Sequence, residues 1–323
     1  MKTEILEVRN LQVYYRTAGA PVKAVDDVTF SLKSKEKMGV VGESGSGKST
    51  LAFALMGLTK PPGYIEGGQV LLNGLDLTKL SEDEMRKVRL AQIALVPQGA
   101  MNSLNPVMHI KDQIIDGIID HLNETPISAL EERVSELLKG VELKPEVADF
   151  FPHELSGGMK QRVCLAIAIS LSPKVIIADE LTSALDVVMQ RQIMLTLGQV
   201  QESIGASVLL VGHDMGLMAQ FVERMAVLYA GKLAEVGSVR EIFKEPLHPY
   251  TQLLISCLPS LEGKRRFKGI PGLPPLLLNL PSGCAFHPRC PQVMSRCSLE
   301  VPSLNEVCPG RWVACHLYTE VKQ

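Results

Sequence analysis

The chain has 323 residues, of which 46% are hydrophobic and 21% are charged, and its formal net charge is −2. This length suffices for one large domain and a smaller one, and the near-neutral charge argues against bulk binding of nucleic acid. No apolar run reaches the length of a membrane span, and the N-terminus carries no charged-then-apolar leader. We therefore expect a protein that is made and kept in the cytoplasm.

The first motif in chain order is a glycine-rich loop at residues 42–49, which read GESGSGKS and fit the phosphate-binding pattern GxxxxGK[ST]. Residues 38–41 predict a strand before the loop, and Ser49–Leu58 predicts a helix after it. Glycines let backbone N–H groups turn toward phosphate oxygens, and the helix start adds the positive end of its dipole. A Gly/Ser-rich turn before an ordinary helix is the alternative interpretation.

Each polar residue of this loop has an expected role. Lys48 is expected to reach the β and γ phosphates, Ser49 to offer its hydroxyl to Mg²⁺, and Thr50 to contact phosphate. The full set of predicted nucleotide contacts in the loop is Gly42, Ser44, Gly45, Ser46, Gly47, Lys48, Ser49 and Thr50.

A largely helical segment is predicted from about residue 99 to 170. Apolar residues recur at spacings of three and four in Ile110–Ile119 and Ser128–Leu138, with prolines as breaks. Near its end, Ser156 is predicted to cap a helix from Gly157 to about Leu171. The start of that helix, with a hydroxyl and glycine N–H groups, is a second candidate anion site.

Two carboxylates follow a short apolar run, residues 175–178, which reads as a buried parallel strand. Asp179 is expected to hold the Mg²⁺ shell, and Glu180 to act as general base toward the attacking water. A solvated strand end is the alternative interpretation. Together with the glycine-rich loop, these carboxylates predict binding and hydrolysis of a nucleoside triphosphate.

The composition changes near residue 255. Six of the seven cysteines and nine of the twenty prolines follow this position. Such a change is typical of a domain boundary. We predict one domain over residues 1–255 and a small Cys-rich domain over residues 256–323.

The order of these motifs resembles the ATP-binding-cassette (ABC) ATPases, because LSGGM at residues 155–159 resembles their signature. The resemblance implies an α/β fold: a P-loop NTPase (RecA-like) core with a helical subdomain and an antiparallel β-subdomain. It implies catalytic roles for Gln98, which also contacts Mg²⁺, and for His213. It further implies ATP contacts by Tyr15, chosen over Tyr14 for adenine stacking, and by Asp186, Ser156 and Gly158, the last two to a partner's ATP.

Further strings resemble one branch of this family. MNSLNP at residues 101–106 and HPYTQLL at residues 248–254 resemble the first of two non-identical ATPase subunits of dipeptide and oligopeptide importers. The resemblance implies a second ATPase subunit, two transmembrane permease subunits and an extracytoplasmic substrate-binding protein as partners, and a peripheral position on the cytoplasmic face of the membrane. Oligosaccharides and metal chelates are alternative cargoes. Leu181 departs from the proline that the family usually carries.

The cysteines of the tail also resemble the C-terminal module of these peptide-transporter ATPases. The resemblance implies a 4Fe-4S cluster on Cys284, Cys290, Cys297 and Cys315. Zinc is the alternative, although tight CxxC knuckles are absent. Cys308 is an extra cysteine that could replace Cys315 as a ligand.

A soluble ABC ATPase that clamps on nucleic acid or the ribosome is the contrasting functional class. Such proteins often carry two cassettes in one chain or a long coiled-coil insertion, and this chain has neither. We therefore expect an importer ATPase with ATP and Mg²⁺ as ligands and no nucleic-acid partner.

Overall fold

Strands and helices alternate along much of the chain in a computed structural model, which describes residues 3–122, 126–183, 185–258 and 269–318. The strands are β1 (Glu4–Tyr15), β2 (Val22–Lys33), β3 (Lys37–Val41), β4 (Gly63–Leu72), β5 (Leu75–Asp76), β6 (Ile93–Val96), β7 (Val175–Asp179), β8 (Ser207–Gly212), β9 (Arg224–Tyr229), β10 (Lys232–Ser238), β11 (Asn305–Cys308) and β12 (Arg311–Val313). The α-helices are α1 (Lys48–Leu55), α2 (Glu82–Val88), α3 (Ile110–Ile119), α4 (Ile127–Gly140), α5 (Gly157–Ala168), α6 (Val187–Ile204), α7 (Met215–Ala219), α8 (Val239–Lys244) and α9 (Pro249–Ser256).

The chain folds into two compact units. The first contains the described residues of Met1–Leu6, Leu32–Glu36 and Leu72–Val211. The second contains those of Glu7–Ser31, Lys37–Leu71 and Gly212–Gln323. The predicted boundary between residues 255 and 256 stays a prediction, and a separate Cys-rich domain is not shown.

The core of the first unit is a set of parallel strands. β7 lies between β6 and β8, with Val175 opposite Ile93 on one side and Ser207 on the other. All five residues of β7 and all six of β8 are buried. A strand covered on both faces requires a continuous apolar run, which is the pattern that predicted β7. Its carboxyl end therefore places Asp179 and Glu180 at the edge of this core.

Helices α3, α4 and α5 lie between β6 and β7 along the chain. α4 buries Leu130, Val134, Leu137 and Leu138, which form one apolar stripe at helical spacing. The observed limits of α3 are those expected from its sequence. α5 ends at Ala168, earlier than the predicted Leu171, and the chain takes a left-handed conformation at Ser172, with φ of 53°.

The second unit contains a mixed sheet. β3 pairs in parallel with β9, and β9 pairs antiparallel with β10. β12 then pairs antiparallel with β10, and β11 with β12. Strands β2, β1 and β4 are neighbours in that order in a further sheet. The α/β class is confirmed, and the strands β11 and β12 from the cysteine-rich tail extend the mixed sheet.

Helix α1 ends at Leu55, three residues before the predicted Leu58. Gly57 adopts a left-handed conformation with φ of 61°, and its N–H donates to the carbonyl oxygen of Ala54. The N–H of Leu58 reaches back to Phe53 at 2.8 Å. This is a glycine-terminated helix end, in which glycine adopts the conformation without steric cost.

No helix within residues 3–122, 126–183, 185–258 and 269–318 combines the length and hydropathy needed to cross a membrane.

Candidate functional site

The glycine-rich loop between β3 and α1 requires glycine at two positions. A Cβ atom at Gly42 would collide with the carbonyl oxygen of Leu228, and one at Gly47 would collide with that of Ala24. Gly47 also has a φ of 103°, which L-residues with side chains rarely adopt. The loop is therefore held against backbone on two sides, in a cradle that any larger residue would disrupt.

Lys48 begins α1 and points back into this loop. Its Nζ donates to the carbonyl oxygens of Gly42 and Glu43, both at 2.9 Å, and the residue is 6% exposed. Gly47 is the residue before the first turn of α1 and has no side chain that could accept from the helix N–H groups. The helix start therefore presents N–H groups, a positive dipole end and an ammonium group together, which suits a polyphosphate.

The structure distinguishes the two candidate aromatics at the end of β1. Tyr14 is 7% exposed and its hydroxyl donates to a carboxylate oxygen of Asp26 at 2.7 Å. Tyr15 is half-buried, and its hydroxyl lies 3.2 Å from Oγ1 of Thr50 in α1. The buried ring of Tyr14 has little exposed face on which an adenine base could stack. The geometry thus favours Tyr15, whose contact with adenine remains a prediction.

In the first unit, Asp179 and Glu180 lie at the end of β7. Asp179 has no exposed surface, whereas Glu180 is half-buried with a φ of 47°. The Glu180 N–H donates to the carbonyl oxygen of Val211 at 2.8 Å, and Gln98 Nε2 donates to Oε2 of Glu180 at 2.6 Å. Left-handed backbone at a non-glycine residue is strained and is found often at functional sites. The structure therefore brings the predicted base and Gln98 together.

Leu181 lies in the turn after Glu180 and is 2% exposed. The N–H of Ser183 donates to the carbonyl oxygen of Glu180 at 2.9 Å, which closes the turn. The buried Leu181 side chain and this hydrogen bond hold the turn at the position where the family that the sequence resembles usually carries proline.

The starts of α5 and α6 meet in the first unit. Ser156 Oγ accepts from the N–H of Met159 at 3.3 Å, which confirms its predicted role as helix cap. Asp186 caps α6 by accepting from the N–H of Met189 at 2.9 Å. A Cβ atom at Gly158 would collide with the terminal methyl group of Met189. The sequence did not indicate this capping role of Asp186.

His213 directly follows β8 and is exposed in the second unit. Its predicted action on the γ-phosphate remains a prediction.

Two family descriptions match different parts of the chain. Residues 25–183 match "ABC transporter", and residues 234–297 match "Oligopeptide/dipeptide transporter, C-terminal region". The oligopeptide transport ATP-binding protein OppD of Escherichia coli (strain K12) is 42% identical over 315 residues, covering 96% of this chain and 92% of that protein. The dipeptide transport ATP-binding protein DppD of Caldanaerobacter subterraneus subsp. tengcongensis is 42% identical over 318 residues, covering 98% of each.

The chain belongs to the ATP-binding subunits of ABC transporters, oligopeptide/dipeptide type. The fold agrees with solved ABC cassettes. The dimeric structure of the bacterial ABC transporter cassette MJ0796 matches with a TM-score of 0.65 and 30% identity, covering 73% of this chain and 99% of that chain. The dimeric post-hydrolysis state of the same cassette, bound to ADP and Pi, matches with a TM-score of 0.65 and 29% identity. ATP hydrolysis is thus the activity of this ABC ATPase family.

Four cysteines of this ABC ATPase lie close enough for their charges to interact. Burial raises the pKa of the Cys315 thiol to about 11. The nearby thiols that raise this pKa further are those of Cys284, Cys290 and Cys297. Cys308 is exposed on β11 and is not among the thiols that raise these pKa values. The four cysteines predicted as ligands therefore influence one another, and Cys308 is not among them. In the part of the chain that the structure describes, no three His, Cys, Asp or Glu side chains are placed to hold a metal ion.

The HPYTQLL segment at residues 248–254 is hydrogen-bonded at its start to a buried carboxylate of the mixed sheet. The sequence did not indicate this contact. Glu235 on β10 has no exposed surface and accepts from the N–H groups of Leu247 and His248, both at 2.9 Å. Arg311 on β12 lies 3.4 Å from the same carboxylate. Glu235 stands between the apolar residues Ala234 and Val236 of β10, so only the three-dimensional contact reveals its role.

His248 of this segment is buried and neutral. Its Nδ1 accepts from the N–H of Tyr250 at 3.0 Å, and its other nitrogen bonds to the carbonyl of Ala314. Burial lowers the pKa of His248 from its usual 6.5 to about 4. Protonation would put a charge in an apolar site and remove the acceptor that caps α9.

This makes the stability of the ABC ATPase dependent on pH. Between about 6.5 and 4 the unfolded chain binds a proton at His248 that the native state excludes, so stability falls as pH falls through this window. We expect a loss of about 1 kcal/mol per pH unit in the free energy of unfolding. Urea titrations at several pH values measure it.

A matched pair of variants tests this assignment. In His248→Asn the amide can still cap α9 but does not titrate, so the slope of stability with pH should shrink even though the variant is less stable. His153→Asn, at an exposed position, should keep the wild-type slope. An unchanged slope in His248→Asn would contradict the assignment.

Proposed function

We propose that this ABC ATPase is the ATP-binding subunit of an importer of dipeptides or oligopeptides, and that it acts from the cytoplasmic face of the membrane. The observation that carries the proposal is the match of residues 234–297 to the oligopeptide/dipeptide transporter C-terminal region, beside an ABC cassette. Relatives named as oligopeptide and dipeptide transport proteins support it over almost the whole length. The proposed partners are two permease subunits, a second ATPase subunit and a substrate-binding protein.

For nucleotide binding, we propose that the loop from Gly42 holds the phosphates and that Tyr15 stacks on adenine. The fit rests on the glycine cradle and on the buried ammonium group of Lys48 at the helix start. Mg²⁺ would be held by Ser49, Gln98 and Asp179, because hydroxyl, amide and carboxylate oxygens suit this ion.

For hydrolysis, we propose that Glu180 is the general base and that Gln98 orients it, since their side chains are hydrogen-bonded. We propose that His213 contacts the γ-phosphate. The exposed residues Ser156 and Asp186 would act at the contact with a second cassette, with Gly158 beside the serine. The dimeric MJ0796 cassettes support this paired arrangement.

The test is co-expression of the full chain with candidate permease subunits and the second ATPase. We expect a membrane complex whose ATPase rate rises when a loaded peptide-binding protein is added to proteoliposomes. Stimulation by an oligosaccharide-binding or metal-chelate-binding protein would instead assign an oligosaccharide or a metal chelate as the cargo. Recovery with ribosomes or DNA, and none with membranes, would overturn the proposal.

We also propose that Cys284, Cys290, Cys297 and Cys315 hold a 4Fe-4S cluster. The mutual influence of these four thiols supports it. Among the described residues, no three His, Cys, Asp or Glu side chains are placed to hold a metal ion. The bound group would join four segments of the tail.

Cys290→Ser is expected to remove this cluster. Protein purified without oxygen should fall from about four irons per chain to near none, with loss of visible absorbance, because the cluster needs four thiolates. Cys308→Ser should keep its iron, since that thiol lies outside the group. A colourless wild type that contains zinc would overturn the cluster.

A further inference from the structure

The phosphate-binding loop of this protein is held from outside by a residue of the cysteine-rich tail. Arg289 donates from Nη1 to Oε2 of Glu43 at 2.7 Å and from Nη2 to Oε1 at 2.9 Å. The arginine side chain is 5% exposed and that of Glu43 is 23% exposed. A two-pronged, largely buried pair of this kind is stronger and more specific in direction than an ordinary surface ion pair.

Arg289 is itself fixed before it reaches the loop. Its Nε donates to the carbonyl oxygen of Pro271 at 2.9 Å, and Nη1 lies 3.3 Å from the hydroxyl of Tyr229. The guanidinium group lies 5.9 Å from the ring centre of Tyr229 and 6.0 Å from that of Phe286. A planar group with this many fixed contacts loses little freedom when it binds the carboxylate.

Glu43 passes this constraint to the atoms that would hold phosphate. Its N–H donates to the hydroxyl of Tyr250 at 2.9 Å, and its carbonyl oxygen accepts from Lys48 Nζ at 2.9 Å. Arg289 therefore fixes the side chain of Glu43, Tyr250 fixes its N–H, and its carbonyl oxygen accepts from the lysine. Movement of Glu43 would displace both the loop backbone and the Lys48 ammonium group.

We propose that Arg289 is a positioning residue for nucleotide binding, which holds the phosphate-binding loop in its binding conformation through Glu43. The proposal rests on the proposed role of the loop and of Lys48 in binding ATP. It gives the cysteine-rich tail a second task, because Arg289 directly precedes Cys290 in the chain. Nucleotide affinity should then depend on a residue that does not touch the nucleotide.

The test compares Arg289→Gln, Glu43→Gln and the double variant in the full chain. ATP affinity is measured by equilibrium binding, and KM and kcat by phosphate release. We expect each single variant to weaken ATP binding roughly tenfold, the size expected for loss of a charge-assisted pair, with KM raised and kcat nearly unchanged. The double variant should be no weaker than either single variant, because both remove the same interaction. Arg289→Lys should recover part of the affinity.

Arg296→Gln is the matched control, since Arg296 forms an exposed ion pair with Glu300 in the same tail and should bind ATP like the wild type. If Arg289→Gln does not fold, Glu43→Gln decides, because it leaves the tail unchanged. Wild-type ATP affinity in folded Arg289→Gln or Glu43→Gln, or additive losses in the double variant, would overturn the inference. If the wild type itself does not bind ATP, or Lys48→Ala binds it equally well, the proposed function fails instead.

Discussion

Glu180→Gln is expected to lower the rate of ATP hydrolysis by roughly 10²- to 10⁴-fold, the range over which general bases contribute. The amide keeps the shape of the side chain but cannot take a proton from water. Affinity for ATP should stay near that of the wild type, because the phosphate-binding loop is unchanged. Phosphate release measures the first quantity, and equilibrium binding of ATP measures the second.

The same variant should keep ATP bound between two paired cassettes. We expect a dimer or a complex with the second ATPase subunit that persists in ATP on size-exclusion chromatography, while the wild type returns to smaller species as it hydrolyses. Glu132→Gln, at an exposed position on α4, should behave like the wild type. Wild-type turnover in Glu180→Gln would rule out Glu180 as the base.

Elements whose cause is local could be predicted from the sequence. The apolar run before Asp179 predicted β7, since a doubly covered strand must be apolar on both faces. Ser156 predicted the start of α5, since a serine hydroxyl can satisfy a free helix N–H. The predicted end of α1 was wrong. The apolar pattern continues to Leu58, whereas the left-handed conformation of Gly57 ends the helix earlier.

Contacts between residues far apart in the chain could not be predicted in this way. Arg289 and Glu43 are separated by 246 positions, and neither stands in a pattern that names the other. Glu235 similarly lies within a strand and meets His248 only through the fold. Arg289 contacts the phosphate-binding loop through Glu43, and Glu235 holds the start of the helix that carries Tyr250. A sequence motif identifies groups that face a ligand, whereas their supports are set by tertiary packing.

The Gln98–Glu180 contact combines both cases. The sequence predicted each residue separately, by a strand end and by family resemblance, and the structure adds the 2.6 Å hydrogen bond between them. It also adds the left-handed backbone at Glu180, which no sequence pattern indicated. A strained residue held by an amide donor is pre-oriented, so less reorganisation is needed when water is activated.

Lys48→Ala is expected to lose most of its affinity for ATP, by about a hundredfold or more. The ammonium group supplies charge-assisted hydrogen bonds of roughly 1.5–3 kcal/mol each, and more than one phosphate oxygen lies within its expected reach. The substitution also removes the hydrogen bonds from Nζ to the carbonyl oxygens of Gly42 and Glu43, which hold the loop. Equilibrium binding of ATP measures the loss, and thermal unfolding measures the contribution of these bonds to stability.

Lys60→Ala is the matched control, because this lysine is exposed in the same unit and lies beyond the end of α1. It removes the same charge from the protein as a whole, so it separates a general electrostatic effect from direct contact with phosphate. If both variants bind ATP equally well, the ammonium group of Lys48 does not hold the phosphates, and its buried position would serve only to fold the loop. A loss confined to Lys48→Ala assigns the charge to the nucleotide.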